Sequence, residues 1–193
     1  QASFNRISVD GDTSTNDMCV VLANGMAGNE TIETEGEDFA AFMRALNSVN
    51  VCLCRSIAAD GEGATKLLEC RASGAKDDKN AKILAKSVIT SSLVKAAMFG
   101  ADANWGRVLC AIGYSGADAD VNRADVRFCS AKGEILVCEN GAGVPFSEEK
   151  AKEILLEEEI LIDVRLKDGK ACATAWGCDL TYDYVKINGD YRT

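Results

Sequence analysis

Three polar clusters hold residue types that could do chemistry. The first, Asn5-Arg6-Ile7-Ser8-Val9-Asp10-Gly11-Asp12-Thr13-Ser14-Thr15-Asn16-Asp17, puts three carboxylates, two asparagines and four hydroxyls around one glycine. It has almost no apolar content after Val9, so it reads as a loop following a short strand, and loops carry sites more often than packing. The second, Gly61-Glu62-Gly63-Ala64-Thr65-Lys66, sets an acid between two glycines. Such a turn can aim Glu62 at a cationic group, although glycine turns are common and the residues alone favour a solvated turn. The third, Gly100-Ala101-Asp102-Ala103-Asn104-Trp105-Gly106-Arg107, puts Asp102 or Asn104 at a helix start, where capping is sufficient explanation.

Several chemistries are excluded. Asp10-x-Asp12-x-Ser14 and Asp118-x-Asp120-x-Asn122 could open calcium loops, but an EF-hand needs Gly sixth and Glu twelfth. Those positions hold Thr15 and Val21 in one case and Arg123 and Cys129 in the other. Gly61–Lys66 lacks the Gly-Lys-Ser/Thr order of a phosphate loop. The chain has no histidine, so neither a Ser-His-Asp nor a Cys-His device can be assembled within it. Its nine cysteines form no C-x-x-C knuckle, and no metal site is expected. Most lie in apolar stretches such as Val51-Cys52-Leu53-Cys54, so they are expected to be free, mostly buried, and kept reduced in a cytosol. The net charge of −9 argues against nucleic acid. No apolar run reaches membrane-spanning length, and the polar start Gln1–Arg6 shows no targeting segment.

The elements that must position these clusters follow from periodicity. Met18–Leu22 reads as a buried strand. Phe39, Phe42, Met43, Leu46 and Val49 recur at helical spacing. Val51–Ile57 and Thr65–Ala72 read as strands, the former with Cys52 and Cys54 on one face. Residues 80–99 give the longest helical pattern, stopped by Gly100, and a shorter helix covers Asn104–Ile112. Val126–Ser130 and Ile135–Cys138 form a hairpin, and Ser147 caps a helix to Leu156. Ile160–Leu166 alternates as a half-buried strand; Asp168-Gly169 then predicts a hairpin turn into Ala171–Trp176, and Tyr182–Ile187 completes a meander. The fold class is α+β, with layered antiparallel or mixed sheets packed against helices. The 193 residues suffice for one domain, with two lobes meeting near 113–125 as an open alternative.

The three clusters, together with Thr181-Tyr182-Asp183-Tyr184-Val185-Lys186-Ile187-Asn188 running on to Tyr191 and Thr193, resemble the ornithine acetyltransferase family, the glutamate N-acetyltransferases of arginine biosynthesis. The four segments match in order and approximate spacing across nearly the whole chain. The resemblance implies an N-terminal-nucleophile-like fold and a precursor that cuts itself before a threonine. It also implies transfer of acetyl from N-acetylornithine to glutamate through an acetyl-threonine, with acetyl-CoA as a donor in some members and no cofactor.

Residues 1–193 resemble the C-terminal portion of the second, beta, chain. The nucleophilic threonine is therefore expected upstream of Gln1, and no catalytic residue within the chain. Glu62 matches a substrate-binding acid, and Asn188 and Thr193 match a tail pair that completes the pocket. Thr193 is expected near a natural C-terminus. The implied partner is the alpha chain of the same precursor, in a heterotetramer of two alpha and two beta chains in the cytoplasm. A non-catalytic interaction subunit and an amidohydrolase of the same fold are the competing readings.

Overall fold

The computed structural model describes residues 2–13 and 18–191. After a one-turn helix at Phe4–Arg6 come β1 (Ile7–Ser8), α1 (Glu37–Ala59), β2 (Leu67–Ala75), α2 (Asp78–Thr90), α3 (Ser92–Phe99) and α4 (Trp105–Gly113). They are followed by β3 (Asp125–Ser130), β4 (Gly133–Glu139), β5 (Ala142–Gly143), α5 (Glu148–Leu155), β6 (Glu159–Arg165), β7 (Ala171–Cys178) and α6 (Tyr182–Asp190). The strands make one mixed sheet in the order β1-β7-β2-β6-β3-β4-β5, parallel at β1/β7 and β2/β6 and antiparallel elsewhere. This is the α+β architecture expected. Strands from both sides of residues 113–125 share the sheet.

Period-two patterning decides which face is the core. Leu68, Cys70, Val126, Phe128, Ile160, Ile162, Val164, Ala173 and Ala175 are all buried on one face, beneath α2 to α5. On the opposite face a smaller apolar cluster forms where Leu67 and Trp176 meet Cys54 and Ala58 of α1. Beyond α1 that face turns polar. Asp163 is buried there between Arg71 and Arg165, at 2.9 and 3.0 Å. Glu69 accepts from Arg55 and, at 3.0 Å, from the Trp176 indole.

Four expectations need correction. Met18–Leu22 is no strand; among the described residues nothing pairs with it, and its side chains are exposed. Val51–Ile57 is not a strand but the second half of α1, because nothing breaks the helix before Asp60-Gly61. Cys54 and Ala58 lie one turn apart on its buried face, while Cys52 is exposed, so the two cysteines do not share a face. The 80–99 pattern is two helices. Ser91 interrupts it, accepting from Val94 N at 3.4 Å as the cap of α3, so α1 is the longest helix at 23 residues. Finally, Asp168-Gly169 makes no hairpin. Both amides donate to Gly74 O, and β2 lies between β6 and β7, pairing with each. The last piece of that supposed meander, Tyr182–Ile187, is helical in α6.

The thiols also differ from expectation. All nine are unpaired, but only Cys54, Cys70, Cys138 and Cys178 are buried, and Cys129 is half-buried. Cys52 and Cys110 sit on outer helix faces, Cys172 opens β7 on the less covered face, and Cys19 lies in the exposed segment before α1. Apolar neighbours in sequence therefore did not guarantee burial. Among the described residues no helix is long and apolar enough to cross a membrane.

Candidate functional site: the Glu62 turn and the last helix

Glu62 is carried by a tight turn between α1 and β2. Ala64 N donates to Gly61 O at 2.9 Å, and Gly63 has φ +65°, a left-handed conformation that glycine adopts without strain. A side chain at Gly63 would also collide with its neighbours. A Cβ there would stand 2.7 Å from Tyr184 N and 2.9 Å from Asp183 C. The turn is thus seated directly on the first turn of α6.

Two side chains from the β7–α6 connection fix this seat. The Asp179 carboxylate, buried, accepts from Thr65 N at 2.8 Å, from Lys66 N at 3.0 Å and from the Thr65 hydroxyl. The Thr181 hydroxyl donates to Gly63 O at 2.7 Å and accepts from Tyr184 N at 3.2 Å, which makes it the N-cap of α6. Capping explains why a stretch rich in β-formers is helical here. One helical turn beyond Tyr184, Asn188 donates its side-chain amide to Glu62 Oε2 at 2.7 Å and to Tyr184 O at 3.0 Å. The structure therefore brings together Glu62 and Asn188, which are 126 residues apart. Thr193 lies outside the described residues.

The N-terminal cluster reaches the same place. Lys86 donates to Ile7 O, and Lys95 donates to Val9 O, so ammonium groups from α2 and α3 hold β1 and its exit. Asp10 follows, and its Oδ2 accepts from Tyr184 OH at 3.1 Å. Burial, reinforced by the Asp10 carboxylate, raises the Tyr184 phenol above its ordinary range. Residues 14–17 of that cluster lie outside the described residues.

Beneath the turn, Lys66 is buried and donates to Met98 O and Leu155 O, each at 2.7 Å, at the C-terminal ends of α3 and α5. Loss of hydration lowers its ammonium below the usual lysine range. Two helix C-termini favour a cation at that point, which accounts for keeping it there.

The result is an exposed carboxylate with a fixed amide donor, a phenol and a second carboxylate nearby. It can hold an ammonium group. Among the described residues it offers no activated thiol: the nearest, Cys178, is buried, and burial raises it further from ionisation. Among the described residues no group of three His, Cys, Asp or Glu is placed to hold a metal. The third cluster resolves as capping: Asn104 accepts from Arg107 N at 3.2 Å and donates to Asp102 at 3.0 Å.

The ArgJ family model matches residues 1–193, the whole chain. The chain belongs to the ArgJ family. It is 56% identical over 191 residues to the arginine biosynthesis bifunctional protein ArgJ 1 of Clostridium acetobutylicum, covering 99% of this chain and 47% of that protein. The ArgJ protein of Caldanaerobacter subterraneus gives the same identity and coverage. The crystal structure of an ArgJ protein from Bacillus halodurans superposes with a TM-score of 0.91 at 48% identity, covering 98% of this chain and 87% of that one. The chain thus spans about half the length of the curated ArgJ relatives it matches.

Among the residues that build this candidate site, Asp179 and Thr181 escaped sequence reading. Trp176–Leu180 reads as a packing corner, and Thr181 gains meaning only once α6 is known to be a helix. A hydroxyl two residues before an acid, Thr181-x-Asp183, was the available capping signal.

Proposed function

We propose that this chain is the substrate-positioning part of a glutamate N-acetyltransferase of arginine biosynthesis. Glu62, Asn188 and Thr193 take the substrate, and the nucleophile is a threonine outside these residues. The observation that carries the reading is the 2.7 Å contact between Glu62 and Asn188. Both match substrate-binding positions of the family, and the fold makes them neighbours across most of the chain. A carboxylate facing solvent beside a fixed amide suits the ammonium groups of ornithine.

In the reaction the threonine hydroxyl attacks the acetyl carbonyl of N-acetylornithine. The hydroxyl proton passes to the leaving amine, and ornithine departs. The amine of glutamate then attacks the acetyl ester, which releases N-acetylglutamate and restores the threonine. Acetyl-CoA is a second candidate donor, with its thiolate as leaving group; no cofactor is needed. This chain holds the substrate amine while chemistry proceeds at the threonine.

The finer placement, as the C-terminal part of the second chain of a self-cleaved precursor, rests on the order of the four matching segments. The Bacillus halodurans chain is covered to 87%, against 47% for curated relatives, so a solved relative also exists as a chain much shorter than those sequences. The partner is the other chain, assembled as two of each in the cytoplasm. An apolar ridge on α1 supports this association: Phe42, Val49, Leu53 and Ile57 are between 47% and 57% exposed and follow one helix face. N-terminal sequencing of the two pieces made from the intact gene tests the placement. These residues in the piece that begins with threonine support it; these residues in the first piece overturn it. Acetyl transfer from N-acetylornithine by the intact protein tests the activity.

A further inference from the structure

We infer that Thr181 is a positioning residue for the substrate amine, through one hydroxyl that sets the register between Glu62 and Asn188. The inference rests on the substrate-binding reading of those two residues. Its geometry is independent of that reading. The Thr181 hydroxyl proton goes to Gly63 O at 2.7 Å, and its oxygen receives Tyr184 N at 3.2 Å. Gly63 is the residue after Glu62, and Tyr184 is one turn before Asn188 on the same helix. One atom is therefore bonded both to the turn that carries the acid and to the helix that carries the amide. Thr181 is 5% exposed, so water does not readily replace either bond.

The surroundings leave the latch little slack. Asp179 holds Thr65 and Lys66 just downstream of the turn. Gly63 approaches the α6 backbone so closely that a Cβ would sit 2.7 Å from Tyr184 N. By contrast, α6 buries none of its own side chains fully. A helix with no core-anchored face takes its position from contacts at its N-terminal end. There Tyr182 meets the Phe99 ring and Tyr184 OH reaches Asp10, but the Thr181 hydroxyl is the group bonded to both the Glu62 turn and the helix backbone. Moving α6 would separate Asn188 from Glu62 and change how an ammonium is met.

Capping and latching can be separated by substitution. Aspartate caps helices as well as threonine does, but its ionised carboxylate cannot donate to Gly63 O. Thr181→Asp keeps the cap and removes the latch; Thr181→Ser keeps both. Each is made in the intact protein that contains both halves. KM for N-acetylornithine, kcat and the extent of self-cleavage are then measured. Thr181→Asp is expected to raise KM about tenfold, with kcat and self-cleavage within about threefold of wild type. Thr181→Ser is expected to stay within about twofold of wild-type KM. An unchanged KM in Thr181→Asp overturns the inference, as does an equal loss in both variants or a loss confined to kcat and self-cleavage. Should folded wild-type protein transfer no acetyl group, the functional reading fails instead. Crystal structures then decide the latch: loss of the Glu62–Asn188 contact in Thr181→Asp upholds it, and retention overturns it. Should Thr181→Asp not fold, Thr181→Gly serves as the second variant under the same criteria, since glycine is tolerated at helix N-caps and has no side chain to donate to Gly63 O.

Discussion

The two faces of the sheet are built from the same strands yet differ in how completely the chain covers them. On one face Leu68, Phe128, Ile160 and Ile162 are sealed under α2 to α5. On the other, α1 packs on a small cluster around Leu67 and Trp176, while its own outer ridge of Phe42, Val49, Leu53 and Ile57 faces solvent. A cavity of ≈ 720 Å³ opens beside it, lined by Arg55, Glu69, Cys129 and Leu161 among others. The first face holds the main apolar core. The second leaves an apolar ridge exposed, and it is the face on which the proposed association with the other half is tested.

Substitutions can break this contrast. Phe128→Ala should cost about 3–5 kcal/mol in unfolding free energy, since a fully buried ring leaves a cavity. Leu53→Asp on the ridge should change the stability of the separate chain by less than about 0.5 kcal/mol, while weakening association with the other half. Denaturant unfolding and co-purification of the two pieces read both. Equal destabilisation by the two variants would erase the distinction between the faces.

Next in size is Gly63→Ala. Forcing a side chain into φ +65° against the α6 backbone should cost about 1–3 kcal/mol, and it should raise KM more than Gly36→Ala, where a Cβ meets nothing within 4 Å. Comparable effects at the two glycines would remove the case for a tight seat.

Thiol labelling sharpens the same picture. Cys19, Cys52, Cys110 and Cys172 should react in the native chain; Cys54, Cys70, Cys138 and Cys178 should wait for unfolding. Adding the other half should protect Cys52 and Cys172, on the α1 side, and leave Cys110 of α4 reactive. Protection of Cys110 alone would place the interface on the wrong face.

The smallest effect concerns pH. The Lys66 ammonium is lowered in the folded state, so the unfolded chain binds more protons between its folded value and its ordinary value. Stability from this group should therefore rise as pH rises through that window and stay constant below it. Lys66→Met should lack the rise, as measured by urea unfolding across alkaline pH. A fall in the Lys66 contribution over that window would reverse the assigned sign.

How much of this the sequence disclosed depended on distance along the chain. The β3–β4 hairpin was legible because Ala131-Lys132-Gly133 sits between two short apolar runs, and α5 because Ser147 is a local cap. The insertion of β2 between β6 and β7 was not, since its pairing partners lie some ninety residues or more away, and no local signal records them. Tyr182, Tyr184 and Ile187 mimic strand composition, and only the Thr181 cap decides for helix. In the site, family resemblance picked out Glu62 and Asn188, while the residues of the turn favoured a plain glycine corner. Asp179 and Thr181 act through bonds spanning 114 and 118 residues, beyond any local pattern.

The most direct measurement is acetyl transfer and self-cleavage in the intact protein carrying Glu62→Gln, which keeps size and removes charge. Losing a charge-assisted contact should cost about 1.5–3 kcal/mol, or roughly one to two decades in apparent affinity for N-acetylornithine, with self-cleavage affected less. Transfer with unaltered KM would contradict the account and leave Glu62 a solvated turn residue.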